Sequence, residues 1–147
     1  MTGMIQIGLI LGITVIVVIA IIPFECERRK RLSSYWKRSC TGAEWRNCFP
    51  GEPKDAIREF LQAFVDGFAF SNKKRLKFSP NDKVMDVYRA LYPSTGWADA
   101  LELETFAINL EEKYGLDLTW VEDHEITLGR LFEMTRNSNQ KMQNIFA

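Results

Sequence analysis

The strongest constraint on this chain is a run of 20 residues, Ile5 to Phe24, without one charged side chain. Only Gln6 and Thr14 interrupt it as polar groups. As a helix it would be about 30 Å long, which is the hydrocarbon thickness of a bilayer. A cleaved signal peptide would need a basic leading segment, a shorter apolar core and a small-x-small site, and the sequence offers none of them. Residues 1–24 therefore read as a retained transmembrane anchor. Arg28, Arg29, Lys30 and Arg31 follow it directly, whereas no Lys or Arg precedes it. The excess of cations on one flank predicts a single pass, with the N-terminus outside and the C-terminal domain cytoplasmic. The four cations would then lie on the bilayer surface, each attracted to anionic headgroups by about 1 kcal/mol. Gly8 and Gly12 have the small-residue spacing that lets two such helices pair as a homodimer.

Beyond the anchor the chain divides by composition. Residues 25–52 are charged, broken by Thr41-Gly42 and closed by "FPGEP", the pattern of a basic juxtamembrane linker. Cys26, Cys40 and Cys48 are odd in number, with no CxxC pair and no histidine nearby, so neither a disulfide framework nor a metal site is indicated. From Pro53, the residues Ile57, Phe60, Leu61, Phe64, Val65 and Phe68 recur at helical spacing and predict an amphipathic helix over 53–70. "SNKKRLKF" reads as a basic connector. "SPND" at 79–82 has a Ser cap, Pro at the first helical position and an acid three residues after the cap, predicting a short helix to about Leu91.

The next helix is the most informative. Asp99 can cap it, Glu102 completes a capping box, and Gly115 should end it. Leu103, Phe106, Leu110 and Tyr114 form one stripe. At about 100° per residue, Leu101 and Ile108 fall almost opposite, beside Thr105 and Glu112, so this helix carries two apolar faces. Thr127 can cap a final helix with Leu128, Leu131 and Phe132 facing inward, while 137–147 read as a flexible polar tail. No segment has convincing strand periodicity. The expected fold is all-α, an N-terminal transmembrane helix followed by a small helical bundle over 53–136.

Asp99-Ala100-Leu101, then Leu110-Glu111-Glu112-Lys113-Tyr114, then Thr127-Leu128-Gly129-Arg130-Leu131 resemble, in order and spacing, the acyl carrier protein family. Two departures stand out. Segment 71–98 is longer than the family's first loop, and the family's attachment serine is replaced by Ala100, whose methyl group cannot carry a phosphodiester. The resemblance thus implies a carrier-like bundle with a degenerate attachment position and no cofactor. It also places Leu101 and Ile108 at exposed apolar positions that touch partners, and Glu102, Glu111 and Glu112 at acidic positions read by a basic surface; the residues alone equally allow the helix at 80–91 to cover Leu101 and Ile108 as core.

Charge distribution agrees with such a partner. Residues 1–81 hold 13 basic and 7 acidic side chains, whereas residues 82–147 hold 6 basic and 12 acidic. Nucleic-acid binding is disfavoured by that acidic half. His124 is the chain's one histidine, within "VEDHE", and no phosphate loop or nucleophile motif accompanies it, so catalysis is not expected. The expected function is a non-catalytic interaction or adaptor module at the cytoplasmic membrane face. The alternatives are a true acyl carrier modified at another residue, or a structural subunit of a membrane complex.

Overall fold

A computed structural model describes residues 26–93 and 101–146, with Ile7, Ile10, Gly12 and Pro23; side chains are described at all of these except 118, 122 and 141–146. The named helices are α1 (Ser33–Trp36), α2 (Gly42–Cys48), α3 (Lys54–Gly67), α4 (Val84–Leu91), α5 (Leu101–Tyr114) and α6 (Leu128–Phe146). Two 3-10 segments, Asn72–Lys77 and Leu118–Glu122, sit between them. Among the described residues there is no strand, only an isolated bridge between Lys83 and Thr127, so the protein is an all-α helical bundle.

Helix α3 forms because its apolar residues recur every three or four positions, and all of the large ones are buried. It lies against α5 at very close range. A Cβ added at Gly67 would stand 2.7 Å from the Phe106 Cβ and 2.8 Å from its Cα, so only glycine permits this approach. Phe106 is the hub of the contact, with ring centroids 5.2 Å from Phe64, 5.5 Å from Trp120, 6.0 Å from Phe68 and 6.3 Å from Phe60. Burying such a ring contributes about 1.5–3 kcal/mol from transfer alone.

The two central helices end differently. In α3 the Phe70 N–H donates to Val65 O at 2.8 Å and the Ala69 N–H to Asp66 O at 3.1 Å. This closes a Schellman motif with Ala69 in the left-handed region (φ 51°). In α5 the same position is Gly115 (φ 61°), whose N–H donates to Glu111 O at 2.8 Å.

Three expectations are corrected here. Among the described residues no helix is long and apolar enough to cross a membrane, and the single-pass, membrane-anchored localisation is withdrawn on that finding. Most of the expected anchor, including Gly8 of the proposed homodimer pair, lies outside the described residues. Of the four cations assigned to a lipid surface, Arg31 instead donates to Ala90 O at 2.8 Å and Leu91 O at 3.3 Å, a cation placed at the C-terminus of α4.

Second, part of the segment 25–52, expected as a basic juxtamembrane linker, packs into the bundle. Trp45 and Leu32 are buried in the core, and Trp45 stacks edge-on against Phe132 at 5.8 Å. The Trp45 indole N–H and the Thr41 hydroxyl both donate to Phe78 O, at 2.8 and 2.7 Å, while Arg38 donates to Asp82 at 2.6 Å. Third, the tail expected at 137–147 is helical in its backbone to Phe146. No Gly or Pro falls between 130 and 146, so polarity alone does not interrupt the helix.

The Ser79 cap forms, but without its helix. Ser79 Oγ accepts from the Asn81 N–H at 3.3 Å and Asp82 accepts from the Ser79 N–H at 2.7 Å, yet α4 begins only at Val84. The reason is tertiary. Pro80 O and Asp82 O accept from the Gly129 and Leu128 N–H groups, at 2.8 and 2.9 Å, which ties this turn to the start of α6.

Candidate functional site: the outer face of α5

Helix α5 buries Leu103, Phe106, Ala107, Leu110 and Tyr114 against α3, α6 and the Leu118–Glu122 segment. The opposite side faces solvent. Leu101 is 58 % exposed and Ile108 47 %, and past residue 26 they are the exposed large apolar side chains among the described residues. Because seven residues make nearly two turns, the two side chains stand on one line along the helix. Glu104 and Glu111 flank that line on one side and Glu112 on the other, all three exposed. Lys113 is drawn away from the face by an ion pair with Glu59 of α3 at 2.9 Å.

Glu102 does not share this face. It is half-buried, and its carboxylate accepts a hydrogen bond from the Tyr92 hydroxyl. Glu104, which the sequence reading did not select, holds the exposed position. The signal for this was available, because Glu102 stands about 100° from Leu101 toward the core stripe, whereas Glu104 stands about 60° away on the outer side. Asp99 and Ala100 of the expected attachment triplet lie outside the described residues, as do Ser94 and Thr95.

The far end of α5 is closed by Tyr114. Burial pushes its hydroxyl up to about 12, with the nearby Glu59 carboxylate adding to the effect and Arg136 opposing it. At the following turn, Asp117 accepts from both the hydroxyl and the N–H of Thr119, which holds its carboxyl below the usual range. Thr127 caps α6 as expected, accepting from the Arg130 N–H at 3.2 Å, and His124 is exposed. Among the described residues no group of three or more His, Cys, Asp or Glu side chains is placed to hold a metal ion.

The face therefore offers an apolar pair ringed by carboxylates. Such a surface can bind; its chemistry is desolvation plus long-range attraction of cations. Comparisons with protein-family models, with curated proteins and with solved structures find no match to this chain.

Proposed function

We propose that this chain is a carrier-like helical bundle without a prosthetic arm, acting as a non-catalytic interaction module. Its docking surface is the outer face of α5, and its partner is a protein with a basic surface. The observation that carries this reading is the exposure of Leu101 and Ile108, opposite the core stripe and beside Glu104, Glu111 and Glu112. Burying the apolar pair supplies affinity, while the carboxylates steer a cationic partner and reject acidic ones. Ala100 supports the absence of an arm, since it has no oxygen to attack the pyrophosphate of coenzyme A.

Kinship and docking are tested separately. Ala100→Ser should turn the protein into a substrate for a phosphopantetheinyl transferase, read as the added mass of the arm on the intact chain. A folded variant that gains no mass removes the kinship. For docking, a photo-crosslinking residue at position 108 in the native host should capture a partner, and Glu111→Lys with Glu112→Lys should abolish that adduct. An adduct of unchanged yield removes the assigned surface.

A further inference from the structure

A second surface, away from the outer face of α5, has the composition of a small-molecule site. A cleft of about 440 Å3 opens between α2 and α3, within the size range of ligand pockets. Its floor is apolar, made by Trp45, Ile57 and Leu76. Its remaining charged lining consists of Arg46, Lys54 and Arg58, with no carboxylate among the lining residues.

This concentration of charge has a cost in the bundle itself. Lys54 and Arg58 are four residues apart on α3, and like charges at that spacing destabilise a helix by a few tenths of a kcal/mol. The same helix holds three carboxylates, Asp55, Glu59 and Asp66, but these fall on a neighbouring stripe about 100° further round. The helix thus sorts its charges, with cations toward the cleft and anions away from it. The contacts that Arg46 and Arg58 already make are few. Arg46 Nε donates to Gly42 O at 3.3 Å, and Arg58 Nη1 meets the exposed Asp55 carboxylate at 3.2 Å. A guanidinium has five N–H donors, so most of each fork is available to a ligand.

We propose that this cleft binds an organic phosphate, a phosphomonoester on a compact apolar body. Two arginine forks match the oxygen geometry of phosphate, and Lys54 adds a point charge beside them. The apolar floor selects a substituted phosphate over the free ion. This site does not depend on the carrier-like reading, because it shares no residue with the outer face of α5.

Phenyl phosphate is the probe, with benzoate and inorganic phosphate as the comparisons, titrated calorimetrically into the full chain. Saturable binding of phenyl phosphate, weaker for both comparisons, is the expected result. Arg46→Ala with Arg58→Ala should lower affinity at least about tenfold, the loss of two charge-assisted contacts. Asp55→Ala should raise it about twofold by releasing Arg58 from an exposed ion pair, a gain that impaired folding would not produce. Cys40 lines the cleft and supplies an internal reporter. In a Cys26→Ser, Cys48→Ser background, phenyl phosphate should slow its alkylation. The proposal is overturned by benzoate binding as tightly as phenyl phosphate, by affinity that survives loss of both arginines, or by unchanged alkylation under saturating probe.

Discussion

Helices α3 and α5 lie side by side and have the same length, 14 residues, yet they use their sequences in opposite ways. Helix α3 buries every large apolar side chain it has and presents sorted charges to water. Helix α5 buries one stripe equally well and leaves Leu101 and Ile108 outside. Their ends differ too, with a strained Ala69 closing α3 and a glycine closing α5. One helix is a structural strut with a regular outer face. The other is built to be covered twice, once by its own bundle and once from outside.

The largest test of that contrast is a substitution at the core stripe of α5. Phe106→Ala should cost about 3–5 kcal/mol in chemical denaturation, because the ring is fully buried at the α3 contact. A cost below about 1 kcal/mol would mean that the two helices do not meet at Gly67. Tyr114 gives the next effect, read against pH. Its folded value of about 12 lies above the unfolded value near 10, so its contribution is complete below pH 10 and is lost as pH rises toward 12. Tyr114→Phe should therefore flatten the alkaline limb of the stability curve, and an unchanged limb would contradict the burial of the hydroxyl.

Smaller effects separate the helix ends and faces. Ala69→Gly should stabilise the protein by about 1 kcal/mol, since it removes the Cβ penalty of a left-handed residue. The gain would appear as a higher denaturation midpoint, and a loss would show that α3 does not end in this motif. Smallest of all, Ile108→Ala should change stability by less than about 0.5 kcal/mol, as expected of an exposed side chain. A cost several times larger would make Ile108 a covered residue and leave α5 with one apolar face only.

What the sequence made legible follows from how local each signal is. The stripes of α3 and α5, the Gly115 stop and the Thr127 cap are written in residues three or four apart, and the structure contains all of them. Trp45 was not legible as core, because its partners Phe78 and Phe132 are 33 and 87 positions away and its own neighbours look like a loop. Ser79-Pro80 carried a helix-start signal that the fold spends on a turn, the Pro80 and Asp82 carbonyls being taken by the N–H groups of α6. Gly67 carried no local signal of its part in the fold, because the Phe106 backbone it admits lies 39 positions away. At the candidate site, helical arithmetic set Leu101 and Ile108 opposite the core stripe but left open whether the preceding helix covers them; both are exposed, and motif matching chose Glu102 over Glu104.

Arg31 has a mechanical meaning beyond its hydrogen bonds. Its guanidinium holds the carbonyls of Ala90 and Leu91, so tension applied to the chain at residue 26 meets the last turn of α4 before it meets Leu32 of the core. Trp45 and Thr41, both fastened to Phe78 O, form a second stop behind it. A protein stretched from residue 26 would load these clasps, with Leu32 and the Arg38–Asp82 pair between them, before the packed pair α3 and α5.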